Sequence, residues 1–424
     1  MSTAKKLGAA TAIAALGLAL AGCAAAAPTP VETTAAPGSV DLRMSVWTSN
    51  EDQLALFDEI AEAYKTDHPE IGEITYESLP FADYNTTLTT QIAGGNAPDL
   101  AWMGDLSRDL IEADALVPLT DALKATKGWD YDDLVGSVTA EFAVEDELYA
   151  YPFSNSPFAL YVNKDLLGQA GAAIDGDVTW EQISELGATV HQATGKAGFV
   201  VRDFDYANWG QLATVWTGWG ASAWSADGKT CTFDSPEMVD AFTFLHDAAF
   251  VDQSMPGPGT TADFFAGDAA FTVAQVSRAA LLDGSFAYDV IPLPNGPEGE
   301  YSVIGQAGVG VLATSPHVQE ATGFLAFLTN PENAEKLAAY FPPPRESLLT
   351  GEQLAANNPK LTADQLESVV IDQLPDAVTL PNHTGPAEIK AAGKTALDAM
   401  WAADADVEAV LAATCEAIEP LLSK

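Results

Sequence analysis

Apolar residues recur along the chain in two periods, and the alternation between them sets out the expected elements. Leu42, Met44 and Val46 fall on every second residue, the pattern of a strand with one buried face. Leu54, Phe57, Ile60, Ala61 and Tyr64 then recur at three- and four-residue intervals, which gathers them on one face of a helix. A second strand is predicted over 74–79, a second helix over 83–92, and a short third strand over 99–103 after the break Gly94-Gly95-Asn96-Ala97-Pro98. Strand and helix in repeated alternation imply a parallel sheet covered by helices, an α/β architecture.

Further strands are predicted over 158–162, 199–201, 269–273, 288–291 and 309–312, with helices between and after them. Thr179 with Gln182, and Thr362 with Gln365, have the spacing of a capping box. Ser235-Pro236 and Asn330-Pro331 place a cap residue before a first-turn proline. Two helices, over 386–400 and 406–421, close the chain. No repeat divides the body of the protein. Pro152 breaks an aromatic stretch at 151–155 and marks a boundary there, with a return crossing expected near Gln306.

The first residues change the domain count. Lys5 and Lys6 precede an apolar run, 7–20, that is too short for a membrane span, so residues 1–22 read as a secretory signal. Leu20-Ala21-Gly22-Cys23 resembles the lipobox of bacterial lipoproteins, which implies cleavage before Cys23 and a lipid on its sulfur. The expected location is the outer face of the cell membrane. Residues 23–39, rich in Ala, Pro and Thr, form a tether with no apolar period.

Lys and Arg number 18 against 60 Asp and Glu, a net charge of −42. Such a surface repels phosphate backbones and anionic head groups, which argues against nucleic acid as a partner. Acidity of this kind also keeps a secreted protein soluble and names no ligand. Cys231 and Cys415 remain once Cys23 is assigned to lipid; an oxidising exterior permits a bridge, and two buried thiols would look the same in sequence.

Ordered landmarks run along nearly the whole remaining chain: Met44-Ser45-Val46-Trp47, the block from Gln91 to Leu100, Tyr151-Pro152, Asn163-Lys164-Asp165-Leu166, Thr179-Trp180-Glu181, the block from Phe264 to Phe271, Ile291-Pro292-Leu293-Pro294, Asn330-Pro331-Glu332 and Pro343-Pro344-Arg345. In order and spacing they resemble the extracellular solute-binding proteins of ABC importers, in the large sugar-binding family that includes the maltose-binding proteins. The resemblance implies a two-lobed periplasmic-binding-protein-like fold, crossing segments at the hinge, a cleft that closes on ligand, and no catalysis. The expected division is a first lobe over 40–152, a second mainly over 153–305, and a return segment over 306–424 serving both.

A sugar presents apolar C–H faces and many hydroxyls, so its site needs flat rings and hydrogen-bonding groups around their edges. Trp47 follows the first strand, ahead of Asn50 and Asp52, at the strand end where open α/β sheets place ligands. Trp47 could equally be core, and Asn50 and Asp52 helix caps. Asp105 ends the third strand, as ligand or as cap. Asn155 and Ser156 follow the boundary at Pro152; maltose-type relatives carry an acidic ligand near Ser156, and none stands here. Tyr206, Asn208 and Trp209 cluster ahead of Trp216, Trp219 and Trp224; any of these tryptophans could stack on ligand or equally pack in the core, and Trp209 and glycine-flanked Trp219 are the preferred stacking candidates. Ser277 and Arg278 stand where relatives carry a Gly-x-Trp loop; Arg278 could donate a forked pair of hydrogen bonds or form a salt bridge. Gln306 and Arg345 complete the set.

Catalytic patterns fail on inspection. Gly393-Lys394-Thr395 lacks the first glycine of a phosphate loop, the glycines of 305–310 are in the wrong order for a dinucleotide loop, and Asp203-Phe204-Asp205 lacks the glycine and glutamate of a calcium loop. The five histidines show no metal-ligand spacing. No catalytic residue, metal or cofactor is expected. The expected function is capture of a carbohydrate, an oligosaccharide, by a monomer that delivers it to an ABC permease. A binder of another solute and a secreted glycoside hydrolase are the alternatives.

Overall fold

The computed structural model of the protein describes residues 36–174, 176–201, 210–257, 259–383 and 385–423. Its strands are β1 (Val40–Val46), β2 (Ile71–Ser78), β3 (Leu100–Met103), β4 (Ala143–Val144), β5 (Glu147–Leu148), β6 (Ala150–Asn163), β7 (Ala197–Val201), β8 (Ala269–Gln275), β9 (Tyr288–Ile291), β10 (Ser302–Val311) and β11 (Ala377–Thr379). The first helix spans Glu51–Asp67 and buries Phe57, Ile60, Ala61 and Tyr64, the face its spacing predicts. Asn50 caps it, accepting from the backbone N–H groups of Asp52 and Gln53. Both capping boxes form, and Ser235 and Asn330 cap the helices that open on Pro236 and Pro331.

A nine-stranded sheet runs β2-β1-β3-β10-β6-β8-β7, with β11 on β10 and β9 on β6. The expected parallel arrangement holds for β1 with β2 and β3, and for β7 with β8. It fails at the centre, where β10 pairs antiparallel with β3 and β6, and β6 pairs antiparallel with β8 and β9. The reason is topological: β6 and β10 carry the chain between the two lobes in opposite directions. The first half of β6 pairs with β10 and the second half with β8 and β9. All fourteen residues of β6 are buried, so it shows no two-residue period, and only its second half was legible as a strand.

The core divides along the same line. One cluster gathers residues of β1–β3, the start of β6, the end of β10 and the helix Val318–Leu328. Beyond the crossing, alternate residues of β6 face opposite layers: Phe158, Leu160 and Val162 join a cluster that includes Trp180, Trp216 and Leu411, while Ala159 and Tyr161 join one that includes Phe264 and Val370. Each fully buried large apolar side chain contributes about 1.5–3 kcal/mol. Cys231 and Cys415 form a disulfide across 184 residues, tying the last long helix, Val407–Ile418, to the second lobe.

Candidate functional site

A cavity of about 240 Å³ opens where β6 and β10 cross, and it is walled by residues from both lobes. On the first-lobe side, Trp47 leaves the end of β1 and Trp102 stands in β3. Trp47 meets Phe81 at 5.7 Å, Tyr84 at 5.0 Å and Trp102 at 5.0 Å, each at a steep interplanar angle, which fixes the plane of the indole. Tyr84 is itself anchored: its hydroxyl lies 3.0 Å from the carbonyl oxygens of Ser45 and Trp102. Phe153 and Phe341 extend the aromatic wall. Phe81, the first residue of the helix Phe81–Ala93, is 55% exposed and forms the rim.

Polar groups come from several elements. Thr48 donates to Oε1 of Gln53 at 2.6 Å, so the start of the first helix contributes an ordered amide. Gln275, Ser277 and Arg278 come from the end of β8 and the turn after it; Gln211 comes from the helix Gly210–Trp216. Gly305 lets β10 approach Gln275, because a Cβ there would stand 2.0 Å from the Nε2 of Gln275. The side-chain oxygens of Gln211, Gln306 and Asn382 are buried in this wall with no hydrogen-bond donor among the described residues. Such acceptors are costly unless something donates to them.

Two carboxylates face the cavity and titrate in opposite directions. Burial pushes the Asp105 carboxyl up, but the Lys390 ammonium and hydrogen bonds from Lys390 and Asn85 outweigh it and hold it below the usual range. Burial raises Glu141, a hydrogen bond from Asn382 and the charge of Arg108 oppose this, and the charge of Asp105 adds to the rise. Among the described residues, no group of His, Cys, Asp and Glu could hold a metal ion, and no helix is long and apolar enough to cross a membrane.

Of the residues singled out in the sequence, Trp47, Asp105, Ser277, Arg278 and Gln306 line this cavity. Others are placed elsewhere. Asn50 is occupied as a helix cap and Asp52 is exposed on the following turn. Asn155 is fully buried in β6, donating through Nδ2 to the carbonyl of Pro152 at 2.9 Å. Ser156, also buried, accepts from the backbone N–H of Ser277 at 2.9 Å and so holds the turn that carries Arg278. Trp219 is core, 8% exposed and packed on Phe244 at 5.0 Å, because the short helical turn Thr217–Trp219 directs it inward. Arg345 is wholly buried: it donates to the carbonyls of Asp130 and Thr329, pairs with Asp133 and lies 4.5 Å over the Trp129 ring. Tyr206, Asn208, Trp209 and Cys23 lie outside the described residues.

Sequence reasoning passed over Gln53, Asn85, Glu141, Gln211, Asn382 and Lys390. None sits in a local motif, and several reach the cavity from elements far apart in the chain. Lys390 carried one signal, a cation in a helix whose Ile389 and Gly393 neighbours are buried, in a chain poor in cations.

Comparison with known proteins places the chain in a family and agrees with its fold. Residues 47–335 match the family described as bacterial extracellular solute-binding protein. The chain is 26% identical over 322 residues to an arabinooligosaccharide-binding protein of Halalkalibacterium halodurans, covering 70% of each. Its fold is similar to that of an ABC substrate-binding protein of Listeria monocytogenes solved with cycloalternan, at TM-score 0.80 and 22% identity over 90% of this chain and 99% of that one. It is similar too to a Mycobacterium tuberculosis protein solved with glycerophosphocholine, at TM-score 0.77 and 22% identity, covering 91% and 99%.

Proposed function

The chain belongs to the bacterial extracellular solute-binding protein family, and from that premise we propose that it captures a neutral carbohydrate, an oligosaccharide, between its lobes for delivery to an ABC importer. The observation that carries the ligand class is the pairing, in one cavity, of an aromatic wall at Trp47, Phe81 and Phe153 with three amide oxygens that have no donor among the described residues. Sugar C–H faces stack on the rings, and sugar hydroxyls donate to Gln211, Gln306 and Asn382. A carboxylate or phosphate group itself brings no donor to those acceptors. The arabinooligosaccharide-binding relative supports the same class.

Lipid on Cys23 would hold the receptor at the membrane, and residues 40–152 and 153–305, joined by the crossing strands, would be the bodies that close. The test is a thermal-shift screen of neutral mono- and oligosaccharides beside sugar acids and glycerophosphocholine, since a ligand bound only by the folded state raises its melting temperature. A shift from glycerophosphocholine with none from any sugar would overturn the assignment. Cys23→Ala should release the protein from membranes; retention would remove the anchor.

Asp105 and Glu141, with carboxyls shifted in opposite directions, give a second reading, hydrolysis by a pair of carboxylates. Their partners oppose it. Both Asp105 oxygens are engaged, by Asn85 and Lys390, and Glu141 already accepts from Asn382. Incubation with oligosaccharides decides: intact ligand recovered in stoichiometric amount supports binding, and shortened products would establish the enzyme.

A further inference from the structure

One short stretch at the start of the helix Pro386–Leu397 reaches out of the second lobe to three acidic side chains of the first. Asn382 donates through Nδ2 to Oε1 of Glu141 at 2.6 Å. The backbone N–H of Gly385 donates to Oδ1 of Asp109 at 3.0 Å. Lys390 donates through Nζ to Oδ2 of Asp105. The helix packs into the second-lobe core through Ile389 and Leu397, whereas Leu110, Ile111 and Phe142, beside the acidic partners, belong to the first-lobe core. All three contacts therefore join bodies with separate interiors.

Local geometry holds the donors in place. Gly385 sits at φ 70°, a left-handed conformation that favours glycine, and Pro386 starts the helix directly after it. The Gly385 amide is thus one of the unsatisfied donors of a helix start, aimed at a carboxylate on the opposite lobe. Asp105 and Glu141 line the cavity beside Asn382 and Lys390, while Asp109 lies outside its wall.

We propose that Asn382, Gly385 and Lys390 form a clasp that is made only when the lobes close, with Asp109 a positioning residue that acts on bound ligand without touching it. The idea rests on the cavity as the ligand site, but the clasp is made of protein groups alone. Separating the lobes breaks the three contacts together and leaves three carboxylates of a chain of net charge −42 without their cross-lobe donors. Contacts made only in the closed form slow release and leave encounter with the open form unchanged. Truncating one partner of a desolvated charge pair acts on the same rate.

The clasp is tested first by hydrogen exchange at the Gly385 amide in the full mature protein saturated with arabinotriose, where the lobes are closed. Asp105→Asn alters the first lobe and Lys390→Gln the second. Each should speed exchange at Gly385 about tenfold, and the double variant should add little to either single one. Unchanged exchange in Asp105→Asn would overturn the clasp, because the contacts would then be independent. In a second arm, Asp109→Asn should raise the dissociation rate of arabinotriose about tenfold with the association rate within about twofold, and Asp109→Glu should restore much of the loss. Equal dissociation from wild type and Asp109→Asn would also overturn it. Failure of arabinotriose to bind at all counts against the sugar reading, and the exchange arm, run with glycerophosphocholine bound, then decides the clasp alone.

Discussion

Gln306 donates through Nε2 to Oδ1 of Asn155 at 2.9 Å, and the two are register partners across the crossing strands β6 and β10. The same Gln306 amide nitrogen reaches the carbonyl of Val138 at 2.9 Å, and the backbone N–H of Asn155 donates to Pro342. One side-chain pair thereby ties four separate chain segments at the point where the lobes meet. Asn155→Ala removes a donor and an acceptor from a buried site, and a loss of about 1–3 kcal/mol is expected. Urea unfolding checks it; an unchanged midpoint would show that the pair is not part of the hinge's stability.

The two tryptophans separate binding from folding. Trp47→Ala should abolish sugar-induced thermal shifts while the protein still unfolds cooperatively, because Trp47 is only partly buried on the cavity wall. Trp219→Ala should instead cost about 3–5 kcal/mol by leaving a void against Phe244. Calorimetry on both variants, with and without ligand, distinguishes them. The reverse pattern would exchange their roles.

Arg345 is a buried cation with four partners, so Arg345→Met should lower stability by about 3–5 kcal/mol, much of it from stranding Asp133. Arg345→Lys should rescue little, since an ammonium cannot lie flat on Trp129 while donating in two directions. Recovery by lysine would show that charge alone is needed.

Asp105 and Glu141 give stability terms of opposite sign with pH. The Asp105 carboxyl is held below its unfolded value, so its contribution is present above that value, about 3.9, and is lost as pH falls through the folded one. Asp105→Asn should therefore flatten the acid limb of the melting-temperature profile. Glu141 is raised, so stability falls as pH rises from the unfolded value, about 4.3, through the folded one. Glu141→Gln should raise the melting temperature at pH 7 and change it least in acid. A change in melting temperature of equal size at pH 4 and pH 7 in either variant would contradict the assigned directions.

Much of the fold was legible because it is written locally. Apolar period, capping residues and proline placed β1, the helix Glu51–Asp67, both capping boxes and the closing helices from short windows of sequence. The crossing strands were harder: β6 is buried on both faces, which erases the alternation that marks a strand. In the site, Trp47 and Asp105 were found because they end strands, a position with a physical meaning. Lys390 and Glu141 were missed because their roles come from partners 285 and 241 residues away, at Asp105 and Asn382 respectively. Trp219 and Arg345 show the converse error, chemistry suited to a ligand spent on packing.

The order in which the chain is made has a bearing on how it folds. The first-lobe core draws on residues from Val40 to Phe341, and the second on residues from Phe158 to Leu422, so neither interior is a single stretch of sequence. A chain emerging from its amino end can complete the first interior only after β10 and the segment to Phe341 have appeared. The second must wait for nearly the last residue, and its disulfide partner Cys415 arrives in the same final stretch. Strand β6 therefore emerges ahead of all its sheet partners, β8, β9 and β10, with both of its apolar faces open, which makes it a segment in need of protection from premature pairing.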